Sequence, residues 1–183
     1  LFYDEITGMI SEPLRNNQYI ASNANKARFS GSEAQMDWRP TLRDRLRLTY
    51  AYVDATIRED GPNKGNRVPF SSKHKGTLGV SYTEGPWKLN LDSSYQSSQF
   101  ADTANTQAES ADGANGRIPG YMLFSSRAAY EFGPQLANLN VAVGVKNIFN
   151  HQYYTRSFDD NNKGNRNITG FPYGPEHLIV KGK

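Results

Sequence analysis

The sequence predicts an all-β fold: about eight antiparallel strands, joined up-and-down as hairpins, that form a segment of a transmembrane β-barrel. Apolar and polar side chains alternate along successive segments, which is the two-residue period of a strand with one apolar face. Short turns alternate with long loops, and aromatic residues lie beside the short turns. These three features together are typical of bacterial outer-membrane barrels.

The composition is compatible with this prediction. The chain has 183 residues, no cysteine, 37% apolar residues and a net charge of +3. Without cysteine there is no disulfide framework and no thiolate site. No run approaches the length of a transmembrane helix, whereas a barrel strand needs an apolar residue only at alternate positions. The small basic excess does not indicate nucleic acid as a partner.

The first four predicted strands are separated by turn or loop sequences. Leu1–Ile10 is apolar and aromatic, and the polar, Asn-rich stretch Ser11–Asn25 is predicted to be a loop. Lys26–Trp38, Leu42–Ile57 and Lys73–Tyr82 then alternate with a two-residue period. Their apolar faces carry Ala34, Met36, Trp38, Leu46, Leu48, Tyr50, Tyr52, Leu78, Val80 and Tyr82.

The other four predicted strands follow the same rule. Trp87–Phe100 and Tyr121–Phe132 alternate, and the first half of Leu139–Tyr154 alternates strictly. His177–Lys183 is a short final strand. The apolar faces carry Trp87, Leu89, Leu91, Met122, Phe124, Ala128, Tyr130, Phe132, Leu139, Val141, Val143 and Val145.

The connections differ systematically in length. The short turns are Arg39–Thr41, Thr83–Pro86 and Gly133–Gln135. The long loops are Ser11–Asn25, Arg58–Ser72, Ala101–Gly120 and His151–Tyr173. Because successive hairpins reverse direction, all short turns are expected at one end of the sheet and all long loops at the other. That asymmetry matches short periplasmic turns and long extracellular loops.

The two faces of the sheet are predicted to meet different surroundings. An interfacial girdle is predicted from the aromatic residues beside the short turns, Trp38, Tyr82, Trp87, Tyr130 and Phe132. The opposite face is charged, and a mid-bilayer Lys or Arg facing lipid costs ~2–4 kcal/mol. This face therefore suits a wide lumen, and it carries Glu33, Asp37, Arg47, Lys75, Lys88, Asn90, Asp92, Arg127, Asn138, Asn140 and Lys146.

Several short motifs resemble the C-terminal barrel strands of TonB-dependent outer-membrane receptors. They occur in the family's order: Asn25–Arg28 with Gly31–Glu33, Leu46–Asp54, Val68–Phe70 with His74–Leu78, Pro119–Tyr121, and Val145–Phe149 with Tyr153. Ser72 stands where the family has a second proline. The stretch Tyr154–Gly164 most resembles ferric citrate receptors and related ferric-siderophore receptors.

The resemblance implies an outer-membrane receptor for uptake of a ferric siderophore or ferric citrate, energised through TonB, rather than an enzyme. It implies no cofactor, with iron only as the transported chelate. The implied partners are the chelate, the TonB complex through an N-terminal region, and outer-membrane lipid and lipopolysaccharide. Residues 1–183 are then expected to be one C-terminal barrel portion, clipped at both ends, without plug and earlier strands.

The candidate ligand contacts are cationic and aromatic loop residues, because such a chelate is anionic. They are Arg58, Lys64, Arg67, Arg117, Tyr153, Arg156, Lys163 and Arg166. The alternative is that these charges are solvated or paired with Glu59, Asp60, Asp159 and Asp160. For Tyr153, the alternative to a ligand contact is a position at the outer interface of the membrane, as an aromatic residue at a strand end.

Two other classes of protein stay open at this point. One is a small, complete eight-stranded outer-membrane protein, an adhesin or an enzyme. The other is a soluble β-barrel ligand-binding domain, which would be monomeric without detergent. An enzyme is disfavoured because His74, His151 and His177 lie on separate segments and no nucleophile elbow, phosphate loop or zinc-protease motif is present.

Overall fold

A computed structural model describes residues 1–11, 14–15, 18–19, 22–109, 115–136, 138–153, 155 and 176–182. Over these residues the chain is all-β, with a single 3-10 turn at Pro134–Leu136. In chain order the strands are β1 (Phe2–Ser11), β2 (Leu14–Arg15), β3 (Gln18–Tyr19), β4 (Ser22–Trp38), β5 (Asp44–Ile57), β6 (His74–Glu84), β7 (Trp87–Gln96), β8 (Gln99–Phe100), β9 (Arg117–Ile118), β10 (Tyr121–Glu131), β11 (Asn140–Lys146) and β12 (Glu176–Gly182). No helix in this part of the chain is long and apolar enough to cross a membrane.

Eight of these strands form one antiparallel sheet in the order β1-β4-β5-β6-β7-β10-β11-β12. Each long strand therefore pairs with the long strands before and after it in sequence, as in an up-and-down meander. The pairs β2-β3 and β8-β9 are separate two-stranded ribbons inside long loops. The predicted fold class, strand number and topology are confirmed.

Two predicted strand boundaries were wrong by four residues each, and one residue was assigned to the wrong place. β4 begins at Ser22, inside the stretch predicted as a loop, because its start pairs with the end of β1. β7 ends at Gln96 instead of continuing to Phe100, since Ser97 N donates to the β6 residue His74 and the chain then leaves the sheet. Asn138 lies in the turn before β11 with a φ of 56°, and not on the polar strand face.

The outward face is apolar and uncovered. Residues opposite one another share a face in an antiparallel sheet, and the row Trp38–Leu46–Val80–Leu91 crosses four strands. Trp38 is 56% exposed and Leu91 50% exposed, which fits contact with lipid rather than with a protein core.

Aromatic residues mark both edges of this outward apolar belt. At the short-turn end, the Trp87 and Tyr130 rings pack edge to face with centroids 4.7 Å apart. At the other end lies His74, and the strand from Tyr82 to His74 is about 27 Å long. A tilt of roughly 40° reduces that to about 20 Å, close to the height of an outer-membrane belt.

The inward face is polar, as predicted. Asp37 forms an ion pair with Arg45, and Lys88 Nζ lies 2.9 Å from Glu131 Oε2. Both pairs lie near the short-turn end of the sheet. Such charges fit a wide lumen better than a lipid-facing surface.

Beyond the apolar belt, at the long-loop end, the polarity of the two faces is reversed. The inward side of β4 and β5 becomes apolar and forms a small core of Ala27, Ala55, Ile57 and Val68. The outward side becomes charged, with Arg28 and Asp54. The strands therefore project past the apolar belt, and this small core lies at the long-loop end.

Candidate functional site

Three long loops follow β5, β7 and β11 at the same end of the sheet. They are the 58–73 loop, the 97–120 loop and the 147–175 loop, of which residues 147–153 and 155 are described. Binding residues commonly lie on loops that a rigid scaffold positions. This loop cluster is therefore the candidate functional site.

The 58–73 loop folds back along β5. Val68 N donates to Ala55 O at 3.0 Å, and Arg67 lies opposite Thr56 in an isolated antiparallel bridge. Val68 is buried against Ala55 and Ile57. The loop thus extends the sheet and is held by both backbone bonds and apolar packing.

The carboxylate of Asp102 organises the 97–120 loop. Its Oδ1 accepts hydrogen bonds from Thr106 N at 3.1 Å and Thr106 Oγ1 at 3.0 Å, and its Oδ2 accepts one from Gly116 N at 2.9 Å. The β8-β9 ribbon brings Phe100 and Ile118 into the buried interior of the loop. Both ends of the loop are therefore anchored.

These two loops form a single unit. Asn105 Oδ1 accepts a hydrogen bond from Arg67 N at 2.8 Å, and Asn105 Nδ2 donates to Arg67 O at 2.9 Å. A second amide, Asn66 Nδ2, donates to Thr103 O at 3.0 Å. Neither loop can move alone without breaking these bonds.

Two arginines from different loops meet at Ser98. Arg67 Nη2 donates to Ser98 O at 3.5 Å and to Ser71 O at 3.2 Å. Arg117 Nη2 donates to Ser98 Oγ at 2.9 Å. The Arg67 guanidinium also lies over the Phe100 ring, 5.6 Å from its centroid, which is a cation–π contact.

The two arginines differ in environment. Burial lowers the pKa of the Arg67 guanidinium; nearby Asp54 opposes this shift, and the charge of Arg117 adds to it. Arg117 is exposed. Neither arginine forms an ion pair with a carboxylate of the described residues. Arg67 is thus committed to holding the loops together, whereas the exposed Arg117 guanidinium suits an anion.

Tyr153 lies on the inward side of the sheet rim. Its ring packs on that of Tyr121 with centroids 4.5 Å apart and planes tilted by 41°, and Tyr121 pairs with Gln96 in an inward-facing row. Nearby, Gln99 Nε2 donates to Thr155 O at 2.7 Å. The 147–175 loop is therefore joined to the 97–120 loop.

The start of the 147–175 loop is shaped by Asn147. Its side-chain amide donates to His151 O at 3.0 Å and accepts from His151 N at 2.9 Å. Asn147 and Asn150 both have left-handed φ values, 48° and 49°, which asparagine tolerates better than most residues. The predicted Val145–Phe149 motif thus covers the end of β11 and the turn that redirects the chain after it.

The remaining predicted contacts are dispersed. Lys64 Nζ lies 2.5 Å from Asp60 Oδ1, which is the pairing that the alternative interpretation of the loop charges named, and this contact lowers the pKa of Asp60. Arg58 lies at the end of β5, where its backbone N donates to Lys26 O. Arg156, Lys163 and Arg166 lie outside the described residues.

Sequence reasoning missed three polar residues that build this site. Ser98, Asp102 and Asn105 lie in a stretch that the sequence identifies only as a polar loop. The available signal was local: Asp and Asn side chains commonly bond nearby backbone groups in turns. In the described residues, no group of three His, Cys, Asp or Glu side chains is arranged to hold a metal ion.

Comparison with known proteins places the chain in a family. The profile "TonB dependent receptor-like, beta-barrel" matches residues 1–148. The metal-pseudopaline receptor CntO of Pseudomonas aeruginosa is 28% identical over 147 residues, which is 79% of this chain and 20% of that protein. The chain thus spans about a fifth of this relative.

Solved structures support the same family assignment. The unliganded ferric citrate transporter FecA is similar with a TM-score of 0.70 and 58% identity, over 76% of this chain and 22% of that one. The ferric yersiniabactin uptake receptor FyuA of Yersinia pestis has a TM-score of 0.69 at 19% identity, over 88% of this chain and 23% of that one, so it supports the fold alone. The family consists of receptors and transporters rather than enzymes. The chain belongs to the TonB-dependent receptor family, as part of its outer-membrane β-barrel.

Proposed function

We propose that this chain is part of an outer-membrane receptor that imports an anionic ferric chelate, ferric citrate first among the candidates, with energy delivered through TonB. The observation that carries this proposal is the 58% identity with the ferric citrate transporter over 76% of the chain. The other relatives include receptors for metal-pseudopaline and ferrichrome at 27–28% identity. The higher identity favours citrate over these larger chelators.

The loop cluster has the chemistry that such a ligand requires. The predicted contacts Arg58, Lys64, Arg67, Arg117, Tyr153, Arg156, Lys163 and Arg166 remain candidates as a set. Arg117 is the best placed among the described cations, because it is exposed and its one side-chain hydrogen bond to a described residue leaves other donors for a carboxylate. Tyr153 provides an aromatic surface on the inward side. We propose that Arg67 contributes by holding Ser98 and its loop in place.

The proposal is tested with the complete receptor that carries this segment. It is expressed in a strain that lacks its own ferric-citrate receptor, and uptake of radioactive iron is measured with ferric citrate, ferrichrome or metal-loaded pseudopaline. We expect TonB-dependent uptake with ferric citrate only. Uptake with another chelate alone would contradict the assignment to citrate, and uptake that persists without TonB would contradict the transport mechanism.

The part of the 147–175 loop outside the described residues is tested by charge reversal. Arg156→Glu and Arg166→Glu are each expected to weaken ferric-citrate binding in the same receptor, because they place a negative charge beside an anion. Unchanged affinity in both variants would remove the 147–175 loop from the proposed binding site.

A further inference from the structure

The 97–120 loop contains the one Asn-Gly pair of the sequence, Asn115–Gly116, directly before Arg117. Asparagine is a chemically labile residue, and it is most labile before glycine, which has no Cβ to shield the backbone nitrogen that follows. That nitrogen can attack the side-chain carbonyl carbon of the asparagine and close a five-membered ring, a reaction favoured by proximity. The pair is therefore a candidate site of covalent modification within the loop cluster.

The fold requires a glycine at position 116. Its φ is 123°, a backbone conformation that residues with a side chain rarely adopt. A Cβ there would lie 2.7 Å from Glu109 Cα and 2.8 Å from Ala108 O, and both of these atoms belong to the backbone. A larger residue at position 116 therefore cannot shield the reactive nitrogen, and any protection has to come from elsewhere in the loop.

A single carboxylate holds this nitrogen. Gly116 N donates to Asp102 Oδ2 at 2.9 Å, and Gly116 is buried. The carbonyl of the same residue accepts a hydrogen bond from Ala101 N at 2.9 Å. The nitrogen must lose its proton to attack, and its charge-assisted hydrogen bond to the carboxylate is lost with that proton. The contact with Asp102 therefore opposes the reaction.

We propose that Asn115 is a site of deamidation and that Asp102 keeps the reaction slow in the folded loop. In the first step a bond forms between Gly116 N and Asn115 Cγ, the bond between Asn115 Cγ and Nδ2 breaks, and Nδ2 leaves as ammonia with the proton from Gly116 N. In the second step water opens the succinimide ring at either carbonyl. The product is aspartate or isoaspartate at position 115.

The modification changes the charge of the candidate ligand site. It places a carboxylate two residues before Arg117, the exposed cation proposed above to contact the chelate. A negative charge beside the site disfavours an anionic ligand. This consequence rests on the proposed function, whereas the modification itself depends only on the contact between Asp102 and Gly116.

Ageing of the purified protein tests the protection by Asp102. The complete receptor in detergent is incubated in mildly alkaline buffer, and the aspartate and isoaspartate formed at position 115 are quantified by mass spectrometry of its peptides. Asp102→Ala should deamidate about ten-fold faster than wild type or more, which is the effect expected from losing one hydrogen bond to a charged group. Asp102→Asn keeps an oxygen for a weaker, neutral hydrogen bond, so its rate should lie between the two.

Two controls separate this protection from the general order of the loop. Thr106→Val removes the hydrogen bond from Thr106 Oγ1 to Asp102 Oδ1 but leaves the contact at Gly116, so it should deamidate like wild type. Asn115→Gln should give no product at position 115, because glutamine would have to close a larger ring. The proposal is overturned if Asp102→Ala deamidates no faster than wild type, or if Thr106→Val deamidates as fast as Asp102→Ala.

The effect on the ligand is measured separately. Asn115→Asp imitates the product and should weaken ferric-citrate binding to the complete receptor about five-fold, the effect of one nearby charge in water, whereas Asn115→Gln should bind like wild type. Equal affinities of these two variants would contradict the effect of the new charge. A wild-type receptor that binds no ferric citrate would contradict the proposed function instead, and the ageing rates would still decide whether Asp102 protects Asn115.

Discussion

The side-chain amide of Asn105 pairs in both directions with the backbone of Arg67, accepting from its N at 2.8 Å and donating to its O at 2.9 Å. A neighbouring strand would form the same two hydrogen bonds with the backbone of Arg67, but here a single side chain forms both. Asn105 itself has a left-handed φ of 56°, which aims its side chain across the gap between the loops. One residue of the 97–120 loop thereby fixes the backbone of the 58–73 loop.

We expect Asn105→Ala to separate these two loops. The change leaves the half-buried N–H and C=O of Arg67 without their partner, which costs about 1–3 kcal/mol of local stability. Faster hydrogen exchange in residues 58–73 and 97–109 of the complete receptor would report it, with the β5–β7 strands unchanged.

Two matched variants test whether the loss of this amide contact causes the faster hydrogen exchange. Asn105→Asp keeps an acceptor for Arg67 N but loses the donor for Arg67 O, so its exchange rates should fall between wild type and Asn105→Ala. Glu109→Ala, at an exposed position four residues further on, should exchange like wild type. If Asn105→Ala also matched wild type, the amide contact would not hold the loops.

The strand pattern was predictable because the physics that sets it is local. Outward residues such as Leu48 and Leu78 must be apolar and their neighbours such as Thr49 and Thr77 polar, so a two-residue period survives in the sequence. The short turns between the strands were equally predictable from the sequence. The start of β4 and the end of β7 were not, because they depend on pairing with β1 and on a bond to β6.

The site was less predictable because its contacts join residues far apart in sequence. Arg67 and Arg117 were identified by charge alone, and nothing local indicates that both reach Ser98. The inverted polarity beyond the belt was also hidden, since Asp54 and Ala55 continue the same alternation with the faces exchanged. Only the fold distinguishes a lumen charge from a charge above the membrane.

Arg117→Gln is expected to weaken ferric-citrate binding about ten-fold or more. A charge-assisted hydrogen bond to a ligand is worth roughly 1.5–3 kcal/mol, and Arg117 has donors facing solvent that can make one. The dissociation constant of ferric citrate for the complete receptor is the measurement. Arg39→Gln removes the same charge from an exposed residue in the short turn at the opposite end of the sheet, so it should change the constant little. Equal effects of both variants would indicate general charge attraction instead of a contact at Arg117.

Tyr153→Ala should loosen the start of the 147–175 loop. The contact with Tyr121 is an aromatic pair, and such pairs contribute about 0.5–1.5 kcal/mol beyond the area they bury. Protease cleavage between residues 150 and 175 of the receptor in detergent should become faster. Tyr153→Phe keeps the ring and should protect the loop like wild type. If Phe behaved like Ala, the hydroxyl and not the ring contact would be responsible.

Gly31→Ala should impair assembly of the barrel, whereas Gly133→Ala should not. A Cβ on Gly31 would lie 2.1 Å from Tyr52 O and 2.7 Å from the Phe2 ring, and the first of these atoms belongs to the backbone of a paired strand. A Cβ on Gly133 meets nothing within 4 Å, in the turn between β10 and β11. Overpacking of this kind costs about 1–3 kcal/mol. The urea midpoint of the complete receptor, followed by its heat-modifiable migration in gels, should fall for Gly31→Ala alone. Equal midpoints in both variants would mean that Phe2 of β1 and Tyr52 of β5 move away from Gly31 to admit a methyl group. The close contacts at Gly31 would then contribute nothing to the stability of the sheet.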